Sequence, residues 1–185
     1  MGVTECLERV KECLMYYFFS KKIRLCVVGL PNSGKTSFCK AYVGEAVLKK
    51  ERPTMGVRKQ KWVKNGIHGV FYDIGGNARY ENLLNINCKH ADALIFVVDA
   101  SDTSTLKNSK RLLDMIMKRN RKSPLPLLVL CTHNDIDGFE RCQNIALELS
   151  LDSLLGGRDI SCYSISSITL SNFPVVDEWI EGHAK

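Results

Sequence analysis

No hydrophobic run in this sequence is long enough to cross a membrane. A spanning helix needs about 18 consecutive apolar residues, and polar or charged side chains interrupt every apolar stretch before that. Eight cysteines are present, yet none forms a Cys-x-x-Cys pair or a Cys/His cluster at zinc spacing, which argues against both a zinc site and a disulfide framework. Cys26 and Cys131 sit inside apolar runs, where a free thiol packs as a small hydrophobe. A reducing, cytoplasmic compartment is therefore expected. Internal repeats and low-complexity segments are absent, so nothing suggests disorder or a fibre. The first residues include Glu5 and Glu8 and no small-residue cleavage site, unlike a secretory signal. The basic runs hold one aromatic, Trp62, and no interleaved series of stacking aromatics, so nucleic acid is not an expected partner.

What is present fits one compact domain with a buried core: 185 residues, 45% hydrophobic and 25% charged. The net charge is +6. Its basic residues cluster at Lys49-Lys50-Glu51-Arg52, from Arg58 to Lys64 and from Lys118 to Lys122. Such runs form a solvated surface, or else meet an anionic membrane or an acidic partner.

Residues 3–18 read as an amphipathic helix, with Val3, Leu7, Val10, Leu14 and Tyr17 at helical spacing. From residue 21 apolar strands alternate with helices. Strands are expected at 23–28, 57–63, 67–73, 93–99, 125–131 and 160–164, and helices at 36–43, 105–118, near 139–149 and at 175–181. Asn65-Gly66 marks a two-residue hairpin turn between the second and third strands. This pattern implies an α/β fold: a mostly parallel six-stranded sheet with helices on both faces. Two units are expected, an N-terminal helix over 1–20 and a domain over 21–185.

The strongest chemical signal is Gly29-Leu-Pro-Asn-Ser-Gly34-Lys35-Thr36, which fits G-x-x-x-x-G-K-[ST] between a strand and a helix. Its backbone N–H groups can wrap phosphates, and the next helix presents its positive end. Lys35 is suited to reach the β- and γ-phosphates, and the Thr36 hydroxyl to hold Mg²⁺. Asp73-Ile74-Gly75-Gly76 ends a strand, where the acid can hold Mg²⁺ through water and the Gly75 N–H can meet a γ-phosphate. Arg52-Pro53-Thr54-Met55-Gly56 lies in a loop, where Thr54 can join the metal shell only when a γ-phosphate is present.

This order of P-loop, P-T-x-G and D-x-G-G resembles the Ras-like small GTPases, and with the N-terminal helix it resembles the Arf and Arf-like branch over about residues 20–182. Ile160–Ser166 and Leu149–Leu154 are similar to the Arf-like subfamily associated with lysosomes. The resemblance implies a P-loop GTPase fold and a molecular switch that binds GTP or GDP with Mg²⁺. Nucleotide contacts are implied for Gly29, Asn32, Ser33, Gly34, Lys35, Thr36, Ser37, Thr54, Gly76, Thr132, His133, Asp135, Ser164, Ile165 and Ser166. Metal contacts are implied for Thr36, Thr54 and Asp73, and catalytic positions for Lys35, Gly76 and Asn77. Residues 57–73 would be the hairpin that slides between the GDP and GTP states. An exchange factor, an activating protein and effectors are implied partners of a monomer that regulates membrane traffic.

Several positions depart from the family. The guanine motif N-K-x-D reads Thr132-His133-Asn134-Asp135. Asp135 keeps the carboxylate that pairs with guanine, while Thr132 lacks an amide and His133 lacks a long stem, so weaker affinity is expected. A second register, from Asn134 to Asp137, also fits N-x-x-D. Asn77 replaces the water-orienting Gln and is one methylene shorter. A misplacement of ~1 Å can cost ~100-fold in rate, so slow hydrolysis is expected. Of the family's aromatic effector triad, Val57, Tyr72 and Asn87 occupy the positions, and one aromatic remains.

Met1-Gly2 permits myristoylation, although Cys6 stands where Ser or Thr is usual, and Cys6 is itself an acylation candidate. The expected location is cytoplasmic, peripheral on endomembranes such as lysosomes or late endosomes. Alternatives are a non-hydrolysing guanine-nucleotide scaffold and, less compatible with Asp135, a P-loop kinase.

Overall fold

A computed structural model describes residues 20–48, 51–121, 124–154 and 157–185. The helix expected at 3–18 lies outside these residues. The remaining elements run β1 (Lys21–Val28), α1 (Lys35–Tyr42), β2 (Val57–Lys64), β3 (Ile67–Ile74), α2 (Glu81–Cys88), β4 (Ala93–Asp99), α3 (Leu106–Arg119), β5 (Leu127–Thr132), α4 (Cys142–Glu148), β6 (Ile160–Ser164) and α5 (Phe173–His183). The sheet has six strands in the order β2-β3-β1-β4-β5-β6. All neighbours are parallel except β2 and β3, which form the expected hairpin. Asn65 and Gly66 both have positive φ, as a type I′ turn requires.

Both faces of the sheet carry a core, which explains the unbroken apolar runs of β4 and β5. On one face Ile23, Leu25, Phe38, Trp62, Phe71, Val176 and Ile180 bring α1 and α5 against the sheet. On the other Cys26, Val28, Leu84, Phe96, Leu113, Ile116 and Ile145 do the same for α2, α3 and α4. Cys26 and Cys131 are fully buried free thiols, as their apolar surroundings imply. Among the described residues no helix is long and apolar enough to cross a membrane.

Sequence periodicity placed most elements within a few residues. It missed α2, a short segment in which asparagines interrupt the apolar residues and whose Leu84 and Cys88 reach the core. The expected helix near 139–149 begins only at Cys142, after a turn through Gly138.

β1 lies where the strand order reverses, with β3 on one side and β4 on the other. Ligands of open α/β sheets collect there, at the carboxyl ends of the strands. The hairpin is locked to this frame by aromatic packing. Trp62 sits 5.0 Å from Tyr42 and 5.4 Å from Phe71, centroid to centroid. Its indole lies over Gly69, its partner across the hairpin, where a Cβ would come within 2.0 Å of the ring. Because Trp62 is itself hemmed in, Gly69→Ala should destabilise the protein by about 1–3 kcal/mol through overpacking. A lowered urea midpoint at unchanged slope would show it; an unchanged midpoint would mean that Trp62 is free to move.

Candidate functional site

The loop after β1 turns back through Asn32 and Gly34, both with positive φ, and delivers α1 at Lys35. Lys35 is buried beneath this loop. Its Nζ donates to the Leu30 carbonyl at 2.5 Å and to Ser33 Oγ at 3.4 Å. Burial lowers its pKa to about 8, against the attraction of Asp73. Asn32, Gly34, Lys35, Thr36, Ser37, Thr54, Gly76, Asn77 and His133 line one cleft of about 580 Å³. Arg79 and Tyr80, which the sequence did not single out, line it too.

Two hydroxyls of this cleft, those of Thr36 and Thr54, meet the Asp73 carboxylate. Thr36 Oγ1 donates to Asp73 Oδ2 at 2.7 Å, Thr54 Oγ1 lies 2.9 Å from Thr36 Oγ1, and Thr54 Oγ1 donates to Asp73 Oδ2 at 3.3 Å. Asp73 is buried, and among the described residues its Oδ1 has no hydrogen-bond partner. Burial raises its pKa, opposed by the Thr36 hydrogen bond, Lys35 and Thr54. Adjacent ligands of an octahedral Mg²⁺ stand about 2.9 Å apart, since its bonds are 2.0–2.1 Å. The spacings and the leftover carboxylate oxygen therefore fit that ion. Among the described residues no group of three His, Cys, Asp or Glu side chains forms a metal cage. A hydroxyl-and-carboxylate set completed by phosphate oxygens suits Mg²⁺ rather than zinc.

The second glycine-containing segment touches both loops. The Gly75 N–H donates to the Gly56 carbonyl at 2.9 Å. It is thus committed within the protein, which corrects the expectation that Gly75 offers it to a phosphate. Gly76 instead abuts the P-loop, where a Cβ would meet Pro31 N at 2.3 Å. Asn77 is exposed, and its Oδ1 accepts from the Arg79 N–H at 3.1 Å.

The end of β5 brings Thr132 against the P-loop. Its hydroxyl lies 3.0 Å from the Ser33 carbonyl and 3.1 Å from that of Val98. His133 has φ 65° and places Nδ1 2.8 Å from Asp99 Oδ1. Asp135 is exposed on the following turn. Asn134 turns away: its N–H donates to the Ile165 carbonyl at 3.2 Å and its amide to Ser171 Oγ at 3.3 Å. Ile165 is buried in the core, and its N–H serves Cys131 at 2.8 Å. The Ser164 carbonyl accepts from the Asn172 amide, and Ser166 Oγ from the N–H groups of Ile168 and Thr169. Asp99 escaped the sequence reading. The available signal was positional: it ends β4 directly opposite Thr132 in the ladder.

The Asp99 hydrogen bond raises the pKa of His133, against burial and with help from the charges of Asp99 and Asp135. The Asp99 carboxyl in turn is lowered by His133 and Ser101, although burial opposes this. The ion pair is therefore complete between the lowered Asp99 value and the raised His133 value, and its stabilisation is lost as pH rises through the latter. Nuclear magnetic resonance should find His133 titrating above the ordinary ~6.5, and Asp99→Asn should bring it down. Titration at or below the ordinary value would refute the pair.

The ADP-ribosylation factor family model matches residues 10–183. ADP-ribosylation factor-like protein 8b of Arabidopsis thaliana is 30% identical over 168 residues, 91% of each chain. ADP-ribosylation factor-like protein 8c of the same plant is 30% identical over 170 residues, again 91% of each. A solved structure of the Arl6 BBS3 small GTPase from Trypanosoma brucei, with the bound nucleotide analogue GppNp, superposes with a TM-score of 0.77. It is 23% identical, covers 87% of this chain and 96% of its own, and so speaks to the fold alone. With the family model spanning nearly its whole length, this chain belongs to the ADP-ribosylation factor family and is an Arf-like small GTPase similar to the Arf-like 8 proteins.

Proposed function

We propose that this protein is a GTP/GDP switch that takes Mg²⁺ with its nucleotide, hydrolyses GTP slowly, and recruits effectors at endomembranes such as lysosomes. The observation that carries the proposal is the contact of Thr54 with Thr36 and Asp73. It draws a loop without helix or strand onto the P-loop and the end of β3, where a γ-phosphate would be sensed. The Gly56–Gly75 hydrogen bond couples that loop to the second switch segment.

In this reading the P-loop backbone from Gly29 to Gly34 and the Lys35 ammonium hold phosphates, with Ser37 beside them. Anionic phosphates would restore the charge that burial discourages on Lys35. Thr36, Thr54 and Asp73 hold the cation, directly or through water. Bound Mg²⁺ would neutralise charge on the phosphates. Asp135 faces the guanine edge, His133 flanks the base, and Ser164, Ile165 and Ser166 shape the loop behind it. Thr132 keeps that loop docked on the P-loop.

In this reading Gly76 would meet a γ-phosphate, and Asn77 would have to orient the attacking water. Asn77 already caps the turn that follows it, which supports slow turnover and the second reading, a non-hydrolysing scaffold. Asn77→Gln should raise intrinsic GTP hydrolysis by about tenfold or more if reach is the limit; an unchanged rate favours the scaffold.

Affinities for GTP, GDP and ATP in Mg²⁺ are the direct test. Guanine nucleotides should bind and ATP should not. GTP should protect the amides of residues 51–85 from hydrogen exchange more than GDP does. Identical protection in the two states would remove the switch. Asp135→Ala should cost about 1.5–3 kcal/mol of guanine affinity, the worth of a charged hydrogen bond; no loss would move recognition to the Asn134–Asp137 register.

A further inference from the structure

The basic run from Arg58 to Lys64 is divided by strand alternation into two sets with different fates. On the inner face Arg58 and Gln60 hydrogen-bond to Glu45 at 3.1 and 2.7 Å, and Lys64 pairs with Asp177 at 2.7 Å. On the outer face Lys59 and Lys61 are exposed. Among the described residues no carboxylate pairs with either, and Lys59 lies 5.5 Å above the Tyr72 ring.

Their cross-strand neighbours extend this outer face. Lys59 stands opposite Tyr72 and Lys61 opposite Val70. Val63 continues the row and is 55% exposed. Lys22 of β1 is exposed on the same face, while Arg24 is occupied by Asp92 at 3.1 Å. The helix α2 covers only the carboxyl ends of β1 and β3, at Cys26, Val28 and Ile74. Beyond that cover, among the described residues, the outer face is a pleated surface of lysines with Val63, His68, Val70 and Tyr72 between them.

We propose that this outer face of β2, β3 and β1 docks an acidic segment of a partner protein in which carboxylates alternate with apolar residues. Lys59 and Lys61 are about 6.6–6.8 Å apart along the strand, two residues of rise. That is the repeat of alternate side chains in an extended acidic segment. The apolar rows fit its intervening side chains, and unpaired lysines steer and select the opposite charge. A lipid surface would be met by protruding apolar groups, whereas Val63 and Val70 lie in a flat pleat between cations. The proposal deepens the switch reading by giving its partner a chemistry. It rests on that reading only for any dependence of docking on the bound nucleotide.

The test uses the full-length ¹⁵N-labelled chain and three probes: a soluble peptide alternating Glu with Val and Ser, the matching Lys peptide, and phosphatidylcholine vesicles with or without phosphatidylserine. The Glu peptide should bind, more weakly as salt rises, with amide shifts confined to residues 22–24, 57–63 and 68–72. K59E/K61E should weaken that binding by about tenfold or more, while K118E/R121E on the distant basic run leaves it unchanged. Guanine-nucleotide affinity, measured on the same variants, should not move, so failure of docking and failure of the switch are read separately. Shifts elsewhere, equal loss in both variants, or binding to phosphatidylserine vesicles without binding to the Glu peptide would each overturn the proposal.

Discussion

A carboxylate buried at the end of a strand must be met by donors or it disrupts the fold around it. Asp73 is such a group, and the segments that meet it are those that define the cleft. Thr36 belongs to the helix that follows the P-loop, Thr54 to the loop ahead of β2, and Asp73 itself to β3. One carboxyl oxygen thus holds together parts that are distant in sequence, and among the described residues the other has no partner. Burial discourages charge on both Asp73 and Lys35. Their mutual attraction opposes that burial, and phosphates with a cation would favour the charged forms further. Because Thr54 is tied in by hydroxyl contacts, while Pro53 and Met55 beside it are exposed, the loop is cheap to release. That asymmetry suits a segment whose order depends on a ligand.

The hairpin is the second consequence. Among the described residues β2 pairs only with β3, so the rest of the sheet holds it through the β3–β1 ladder and side-chain ties from Arg58, Gln60 and Lys64. Should it slide against β1, as the resemblance implies, only an even register shift keeps Ile67, Gly69 and Phe71 inward. An odd shift would turn Trp62 and Phe71 to water and lysines into the core. Any slide would also strain the Lys64–Asp177 and Arg58–Glu45 pairs. Both bridges have a partner at least one-third exposed, so each contributes little.

Much of this was legible in the sequence, since the strongest signals are local. The apolar strands, the Asn65-Gly66 turn and the P-loop residues are each fixed by neighbours within a few positions. Where the sequence was silent, the cause lies in contacts across space. The segment of α2 contains Asn82, Asn85 and Asn87, poor helix formers, and is helical here with Leu84 and Cys88 anchored in the core. Asp99 gains its role only when β4 lies beside β5. The choice between Gly75 and Gly76 turns on one hydrogen bond to Gly56, which no periodicity encodes. The lysines of β2 read as one basic run until alternation divides them into paired and unpaired faces.

In the proposed reading of the loop after β5, the altered guanine motif would retain part of its work. In N-K-x-D two tasks fall to the first pair of residues: joining the loop to the P-loop and shielding the base. The first needs one short donor at the end of β5, and the Thr132 hydroxyl, within reach of the Ser33 carbonyl, supplies it. Its methyl group packs where a Cβ on Gly34 would come within 3.2 Å, so contact is close as well as polar. The second needs a long stem or a flat ring. An imidazole anchored to Asp99 at the mouth of the cleft offers the ring, with less reach than a lysine stem. The loss expected from Thr132-His133 therefore falls on the shielding of the base rather than on the architecture that positions it, and Asp135 remains exposed on a turn whose base is fixed on both sides.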